Sequence, residues 1–297
     1  MTVDKRITLE EAIERIEPGE SIALGLALEH AIPFAAGHEL IRQGTDELTL
    51  IGPISDILFD QLVGAGLVSN IQAAWVGNVS IGSGYRFREA IEGDELTIEN
   101  HSNLSIATAL EAGRLGLPSM PTRSLLGSDI LEEGPFETYC DPVDGEEHVL
   151  VPAITPDWAI VHAQRASPAG DVHLWGNVGV TPQAVGAASD VIVTVEEIVD
   201  PSVIKSDPSR VAITREQVTA VVECPFGAHP SPLAGYYRRD HGHYISYGQH
   251  TKTQGGYDTW VKEWIFDIED RAAYTERLDT SLEPVSADRA AEVRYGR

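Results

Sequence analysis

A β–α–β pattern runs through Leu48-Thr-Leu-Ile-Gly-Pro-Ile-Ser-Asp-Ile-Leu-Phe-Asp-Gln-Leu-Val-Gly-Ala-Gly-Leu-Val-Ser-Asn-Ile-Gln-Ala-Ala-Trp-Val76. The apolar run at residues 48–51 predicts a buried strand that ends at Gly52-Pro53, and residues 70–76 predict a second strand. Residues 57–64 between them have the apolar spacing of a helix. Two strands joined by such a helix are expected to lie side by side in a parallel sheet.

The same alternation continues on both sides of this unit. Towards the N-terminus, Thr8 and Glu11 form a capping box that opens a helix at residues 8–16, and a strand at 21–25 and a helix at 33–43 follow. Towards the C-terminus, the pattern predicts a helix at 85–92, a strand at 96–99 and a helix at 104–114. The order predicts an α/β fold, an open three-layer α/β/α arrangement with a mainly parallel sheet. Ligands bind beyond the carboxyl ends of the strands in such sheets, so we expect the site in the loops that begin at Gly25, Gly52, Gly77 and Asn100.

The second half of the chain carries weaker patterns. A turn at residues 141–145 predicts a hairpin, and residues 158–161 and 191–195 are candidate buried strands with a helix at 182–188 between them. Residues 225–257 are rich in Gly, His, Tyr and Pro without a clear period, which predicts a loop at a functional site or a subunit contact. A C-terminal helical segment at 258–297, with helices at 259–268 and 271–278, completes a single domain of residues 1–297.

The chain is strongly acidic, with 46 Asp and Glu against 21 Lys and Arg and a net charge of −25. This charge would repel a nucleic-acid backbone or an anionic membrane, so neither is expected as a partner. Only four of the basic residues are Lys. Such a surface suits a cytoplasm of molar salt, where the Debye length is about 3 Å and charge repulsion is screened. We therefore expect a salt-adapted, halophilic source, with an ordinary acidic protein as the alternative.

Membrane insertion, export and a disulfide framework are not expected. The chain has no run of about 18 apolar residues, and residues 1–15 lack the pattern of a signal peptide. The two cysteines, Cys140 and Cys224, do not form a C-x-x-C pair. We expect reduced thiols, no structural zinc and a cytoplasmic protein.

Motifs of common enzyme classes are missing. The chain has no G-x-S-x-G elbow, and neither G-x-G-x-x-G nor a Walker A motif is complete. Cys224 with the nearby His229 could form a nucleophile–base pair, but a small buried thiol is the favoured interpretation. The same segment carries Asp240 and four histidines, His229, His241, His243 and His250. Without an H-E-x-x-H motif, these are interpreted as polar contacts, and no metal site is predicted.

The most unusual stretch lies at residues 115–129, where Pro118 and Pro121 fix an extended path. Arg123 can pair bidentately with a carboxylate or a phosphate. Gly127 and Ser128 can offer backbone N–H groups to an oxyanion. The alternative is that Arg123 only balances a nearby acid such as Asp129.

Eight segments, taken in order, resemble the A (alpha) subunits of class I CoA-transferases, most closely the glutaconate CoA-transferase group. They are Ser21-Ile-Ala-Leu-Gly25 with Pro33, Tyr85-Arg-Phe-Arg-Glu-Ala-Ile-Glu92, Leu96-Thr-Ile-Glu99, Leu115-Gly-Leu-Pro118 through Gly127-Ser-Asp129, Val151-Pro-Ala-Ile-Thr-Pro-Asp157, Ala163-Gln-Arg165 with Gly170, Gly176-Asn177 and Val193-Thr-Val-Glu-Glu-Ile-Val199. The resemblance covers about residues 7–230.

The resemblance implies a NagB/ribose-phosphate-isomerase-like fold and a homologous B (beta) subunit in a heterodimer or heterotetramer. In this family a glutamate of the B subunit attacks the acyl-CoA thioester, and an acyl anhydride and then a glutamyl-CoA thioester form. The implied substrates are a dicarboxylyl or oxoacyl CoA and a carboxylic acid. Coenzyme A is a substrate rather than a permanently bound cofactor. No catalytic residue is expected in this chain. As the A subunit, it would shape the acyl pocket.

The candidate substrate-binding residues all lie in loops or at element ends: Gly25, Asn78, Ser80, Asn103, Arg123, Gly127 and Ser128. Asn78 and Ser80, with Ser83 nearby, follow the strand at 70–76 and are candidates for hydrogen bonds to the acyl group, with plain loop solvation as the alternative. Glu196 and Glu197 follow a predicted buried strand and are interpreted as a turn or helix-start pair, although one could point inward.

Two departures from the family pattern bear on function. The chain has Gly25-Leu-Ala27 where family members often carry Gly-Gly-Phe. A related branch of ring-opening CoA-thioester hydrolases in steroid breakdown places a catalytic Glu at the position that we align with Asn103. Asn cannot act as a carboxylate base, which favours the transferase. The hydrolase stays an alternative, because that branch also carries the arginine that matches Arg123. If the alignment is shifted by a few residues, Glu99 becomes the candidate for the catalytic carboxylate. A non-catalytic effector-binding domain is a third alternative, which the lack of a basic helix-turn-helix region disfavours.

Overall fold

The computed structural model describes residues 3–278. Its strands are β1 (Ser21–Ala23), β2 (Leu48–Ile54), β3 (Val68–Trp75), β4 (Gly77–Asn78), β5 (Gly82–Ser83), β6 (Thr97–Asn100), β7 (Ser119–Thr122), β8 (Glu137–Cys140), β9 (Glu147–Pro152), β10 (Trp158–Ala166), β11 (Val172–His173), β12 (Asp190–Ile198), β13 (Val211–Ile213) and β14 (Ala220–Glu223). Its α-helices are α1 (Leu9–Ile13), α2 (Phe34–Gln43), α3 (Leu58–Gly64), α4 (Tyr85–Glu92), α5 (Asn103–Leu115), α6 (Asp129–Glu133), α7 (Thr181–Ala187), α8 (Pro201–Ser206), α9 (His241–His250), α10 (Gln254–Val261) and α11 (Arg271–Leu278). A 3₁₀ turn at Pro208–Arg210 and a π-helical turn at Lys262–Phe266 complete the elements.

Seven parallel strands form the main sheet in the order β14-β12-β10-β1-β2-β3-β6. Strand β11 pairs antiparallel with the end of β10, and β13 pairs antiparallel with β11. The chain runs outward from β1 through β2 and β3 to β6, and then returns to the other side of β1 as β10. The strand order therefore reverses between β1 and β10. This is where ligands of open α/β sheets commonly bind.

Alternate side chains of the strands divide the interior into two cores. Ile22 of β1 packs with α1–α4 and α9–α10 on one face, whereas its neighbour Ala23 packs with α5 and α7 on the other. Both are fully buried. Burial of each large apolar side chain contributes about 1.5–3 kcal/mol. The α/β/α layering and the mainly parallel sheet predicted from the sequence are confirmed.

Local sequence signals place several elements accurately. Thr8 and Glu11 form the predicted capping box at the start of α1, and α4 and α11 have the predicted bounds. The predicted hairpin is β8–β9, and together with β7 it forms a three-stranded antiparallel sheet that packs against α5. No helix within residues 3–278 is long and apolar enough to cross a bilayer.

The prediction of a loop over residues 225–257 is wrong in part, because this segment contains α9 and the start of α10. The buried face of α9 consists of His243, Tyr244, Tyr247 and Gly248 rather than aliphatic residues. A face of this composition gives no apolar period, so the pattern does not reveal the helix. The helix predicted at 259–268 is instead the end of α10 followed by the π-helical turn. Of the C-terminal segment predicted at 258–297, residues 279–297 lie outside the described residues.

Candidate active site

The crevice between β1 and β10 is filled by the chain itself. The Asn177 side chain donates to the carbonyl of Ala27 (3.0 Å), and the Val180 backbone N–H donates to the carbonyl of Leu26 (2.9 Å). From the other side, the carbonyl of Pro232 accepts a hydrogen bond from the N–H of Ala31 (3.0 Å). These contacts cover part of the carboxyl edge at the crevice, and the candidate residues lie in the neighbouring loops after β1, β2 and β3.

Gly25 allows the loop after β1 to lie directly on the loop after β2. Its φ is +70°, and a Cβ atom at this position would lie 3.0 Å from the Cα of Ser55. Both the backbone conformation and this close approach favour glycine. The Ser55 side chain is fully buried, and its hydroxyl has no partner within the described part of the chain.

Asp56 is the central group of the site. It is fully buried and has a φ of +60°. Its Oδ1 accepts hydrogen bonds from the Asn78 amide (2.6 Å) and the Ile57 N–H (2.8 Å), and its Oδ2 accepts one from the Tyr244 hydroxyl (2.6 Å). The Arg239 guanidinium lies 3.9 Å from Oδ2. Burial raises the pKa of Asp56 to about 7, even though these donors favour the charged form.

Asn78 and Ser80 form a turn beside Asp56. Asn78 is fully buried, and its Oδ1 accepts the backbone N–H of Ser80 at 2.7 Å. Ser80 is exposed, and its hydroxyl lies 3.4 Å from Nδ1 of His241 at the start of α9. The structure thus brings Gly25, Asn78 and Ser80 into one region, in which Asn78 orients the loop and Ser80 presents a hydroxyl to solvent.

Arg239 connects this region to the loop after β1. Its Nη2 bonds to the Glu29 carboxylate (2.8 Å) and to the Glu29 carbonyl (3.1 Å), and the guanidinium lies over the Tyr244 ring. Buried atoms of both partners, Glu29 Oε1 and Arg239 Nη1, have no hydrogen-bond partner among the described residues. A polar ligand or water would satisfy such atoms.

Asn103 is the exposed first residue of α5, next to the capping residue Ser102. Immediately before them lies His101, a buried side chain that bonds to Glu99 (2.7 Å) and Ser105 (3.1 Å). Glu99, the alternative carboxylate, is therefore engaged by a neighbouring histidine. Asn103 itself presents a carboxamide to solvent.

Arg123, Gly127 and Ser128 belong to a second group, on the segment between β7 and α6. The Arg123 side chain is 60% exposed, and its nearest acid is Glu146 of the β8–β9 turn at 3.6 Å rather than Asp129. Gly127 has a φ of +76°, and the Ser128 hydroxyl donates to the carbonyl of Leu125 (2.8 Å). An exposed ion pair of this length contributes little to stability, so Arg123 is available to a ligand.

The nucleophile and metal alternatives gain no support from the structure. Burial raises the pKa of the Cys224 thiol, and His229 bonds to Asp240 (3.0 Å) and Tyr274 (2.9 Å). Within residues 3–278, no group of three His, Cys, Asp or Glu side chains is placed to hold a metal ion.

Glu196 points inward, contrary to its interpretation as a turn residue. It accepts hydrogen bonds from His162 (2.8 Å), Tyr237 (2.8 Å) and the Phe226 N–H (2.9 Å). Although burial alone would raise the pKa of Glu196, the bond from His162 holds it below its usual value. Glu196 therefore anchors the segment that follows β14. Glu197 is exposed.

Sequence reasoning missed Asp56, Arg239 and Tyr244. Asp56 could have been found from the sequence, because it is the one carboxylate in the loop that begins at Gly52. The strand pattern predicts that this loop belongs to the site. The other two lie in the segment that was predicted as a loop, and no local pattern connects them to β2.

Comparisons with known proteins match most of the length of the chain. A model of the coenzyme A transferase family matches residues 6–224. The A subunit of 3-oxoadipate CoA-transferase from Pseudomonas knackmussii is 36% identical over 277 residues, which cover 92% of this chain and 97% of the relative. The A subunit of glutaconate CoA-transferase from Acidaminococcus fermentans is 35% identical over 295 residues, covering 93% and 92%. The crystal structure of glutaconate CoA-transferase from that organism superposes with a TM-score of 0.90 at 34% identity, covering 95% of this chain and 96% of the other.

A cholesterol ring-cleaving hydrolase subunit from Rhodococcus jostii is more distant. It is 29% identical over 290 residues, which cover 90% of this chain and 94% of the relative.

Proposed function

Because the chain belongs to the coenzyme A transferase family, we propose that it is the A subunit of a heteromeric CoA-transferase. The enzyme moves CoA between a dicarboxylyl or oxoacyl CoA and a carboxylic acid. The observation that carries this proposal is the similarity, over almost the full length of both chains, to two A subunits whose named substrates are 3-oxoadipate and glutaconate. Both of these acids carry two carboxylates.

The attacking carboxylate is proposed to come from a B subunit. A glutamate of that subunit would displace CoA from the thioester, which gives an acyl–glutamyl anhydride. The released thiolate then attacks the glutamyl carbonyl of the anhydride, which forms a glutamyl-CoA thioester and releases the acyl group as a free carboxylate. The acceptor carboxylate takes the CoA by the reverse sequence. Coenzyme A enters and leaves as a substrate, and no other cofactor is required by this scheme.

The charge distribution of the chain supports binding of anionic substrates at this edge. Residues 61–88, which include the loop after β3, contain no Asp or Glu, although the chain has 46 acidic residues. Residues 100–110, which follow β6, also contain none, and residues 224–257 contain only Asp240. These segments, unlike the loops after β1 and β2 with Glu29 and Asp56, would admit phosphates and carboxylates that the acidic surface elsewhere repels.

The same region is proposed to contact the B subunit. Val79 is 70% exposed and precedes Ser80, and Ile245 is 47% exposed and lies one turn after His241 on α9. Since Ser80 and His241 are in contact, these two apolar side chains border the candidate site. Burial of such residues under a partner chain would close the acyl pocket. We propose a heterodimer or a heterotetramer of such pairs.

Arg123 lies in the separate group between β7 and α6, and we propose that its exposed guanidinium binds the distal carboxylate of an acyl group that extends from Ser80 towards this group. Ser80, Asn103 and Ser128 would donate hydrogen bonds to the acyl group, and Gly25 and Gly127 would shape the backbone around it. Asn78 would act indirectly, since it is fully buried. We also propose a cytoplasmic, salt-adapted protein, in keeping with two unpaired cysteines and the net charge of −25.

The hydrolase alternative is not favoured. Its catalytic carboxylate is expected at the position of Asn103, which presents a carboxamide, and Glu99 is engaged by His101. The effector-binding alternative has no supporting observation.

The test is an exchange assay on this chain coexpressed with the homologous B subunit. Formation of acetyl-CoA from acetate and glutaconyl-CoA or 3-oxoadipyl-CoA is the expected result. Hydrolysis of the thioester without exchange would favour the hydrolase. Absence of both reactions with dicarboxylyl and oxoacyl thioesters would contradict the proposal.

A further inference from the structure

We propose that Asp56 is a positioning residue of the transferase site, which holds Ser80 in place through Asn78 and is itself held by Tyr244. The inference rests on the proposed function for the role of Ser80, but the contacts that support it are properties of this chain alone. Asp56 lies on the loop after β2, and Ser80 on the loop after β3.

The connection from Asp56 to Ser80 consists of two short hydrogen bonds. The Asn78 Nδ2 donates to Asp56 Oδ1 at 2.6 Å, and the Asn78 Oδ1 accepts the Ser80 N–H at 2.7 Å. The two ends of one buried amide therefore join the carboxylate to the turn. Because Oδ1 of Asp56 is the acceptor for both the Ile57 N–H and the Asn78 Nδ2, Asp56 fixes which end of the Asn78 amide faces the turn.

The backbone of Asp56 shows that the carboxylate is held in a specific position. Its φ of +60° lies in the left-handed region, which non-glycine residues seldom adopt. Asp and Asn tolerate this region better than other residues, since their short polar side chains bond locally. Here Asp56 Oδ1 accepts the N–H of Ile57 at 2.8 Å. Asn at this position would preserve the backbone, whereas Ala would lose both the backbone preference and the bonds.

The other side of Asp56 is held by α9 and the residue that precedes its N-cap. The Tyr244 hydroxyl donates to Oδ2 at 2.6 Å, and Arg239, at 3.9 Å from the same oxygen, also bonds to Glu29 in the loop after β1. Asp56 therefore links the loops after β1, β2 and β3 to α9. Displacement of this carboxylate would therefore shift Ser80 through Asn78, although Ser80 itself is not substituted.

The helix α9 supplies a matched control. Tyr247 lies three residues after Tyr244 and donates to Asp60 at the same distance of 2.6 Å, and both tyrosines and both carboxylates are fully buried. Asp60, however, accepts the N–H of Phe87 in α4 and makes no bond to Asn78. Tyr247→Phe removes the same type of bond as Tyr244→Phe but leaves the link to Ser80 intact.

The experiment compares Tyr244→Phe, Tyr247→Phe, Asp56→Ala and Asp56→Asn in the complex with the B subunit. We expect Tyr244→Phe to speed amide hydrogen exchange in residues 77–83 and to lower kcat/KM about tenfold, since small displacements of a positioned group are costly. Tyr244→Phe and Tyr247→Phe are expected to lower the melting temperature by similar amounts. In Tyr247→Phe, however, amide exchange in residues 77–83 and kcat/KM should stay within about twofold of wild type. Asp56→Asn should retain more activity than Asp56→Ala.

Equal effects of the two tyrosine variants on exchange in residues 77–83 and on kcat/KM would overturn the proposal, because Asp56 would then act only in stability. If Asp56→Ala does not fold, the comparison of Tyr244→Phe with Tyr247→Phe still tests the proposal. The exchange measurement needs no substrate, so a wild-type complex without transferase activity would reject the proposed function and leave the test of the Asp56–Asn78–Ser80 connection in force.

Discussion

At the scale of single residues, Arg239 beside Asp56 and Arg123 on the segment between β7 and α6 have different environments. Arg239 is engaged by Glu29 and lies near Asp56, and its side chain is 12% exposed. Arg123 is 60% exposed and its nearest acid is 3.6 Å away. An arginine that is paired within the fold, as Arg239 is with Glu29, holds loops together, whereas an arginine with a loose surface partner can bind a substrate carboxylate.

Arg123→Ala is expected to lower kcat/KM for a dicarboxylyl CoA by about tenfold to a hundredfold, the range for loss of a charged hydrogen bond. The melting temperature should change little, because the ion pair is exposed. Arg114→Ala is the control, since Arg114 is also exposed and pairs with Glu111 on α5. Equal activity losses in both variants would contradict a carboxylate-binding role for Arg123.

The raised pKa of Asp56 leads to a prediction about how stability depends on pH. Burial raises the pKa from 3.8 to about 7 in the fold, so the folded state holds this proton more tightly than the unfolded chain does. The resulting stabilisation is complete below pH of about 4 and is lost as the pH rises through about 7. Asp56→Asn should therefore gain in melting temperature relative to wild type between these values. A difference that does not vary with pH would show that Asp56 stays ionised throughout, next to Tyr244, Arg239 and Asn78.

At the scale of elements, the sheet and its loops follow from patterns that the sequence displays, and the site follows only in part. Aliphatic periods in β2, α3 and β3 predicted the layers, and the rule for parallel sheets predicted the loops of Gly25, Asn78 and Ser80. The sequence pattern did not predict helix α9, because its buried face consists of Tyr, His and Gly. The two tyrosine hydroxyls donate to Asp56 and Asp60, which are far away in sequence. Such pairings depend on tertiary structure, which local periodicity does not encode.

Substitution of Gly25 tests the contact between the loops after β1 and β2. Gly44, at the C-terminus of α2, has almost the same φ of +71° but has open space around the position of a Cβ. Gly44→Ala should cost about 1–2 kcal/mol of unfolding free energy, the usual penalty of left-handed backbone for alanine. Gly25→Ala should cost more and should also reduce transferase activity, because its Cβ would meet the backbone of Ser55. Equal unfolding free energies in urea titrations would show that the close approach is not restrictive.

At the scale of the whole molecule, the net charge of −25 predicts a strong response to salt. Raising KCl from about 0.1 M to about 1 M shortens the Debye length from about 10 Å to about 3 Å, which screens repulsion among the acidic side chains. The melting temperature is therefore expected to rise over this range, and a neutral osmolyte at equal osmotic strength serves as the control. A melting temperature that is flat in KCl would contradict adaptation to salt.

The division of labour between two subunits is the central claim, and the position of the covalent CoA adduct tests it most directly. The complex is incubated with acyl-CoA and then treated with hydroxylamine, which converts a glutamyl-CoA thioester to a hydroxamate. Both chains are then searched for the modified residue by mass spectrometry. We predict a hydroxamate on one glutamate of the B subunit and none on this chain. A modified carboxylate on this chain, formed with or without the partner, would contradict the account.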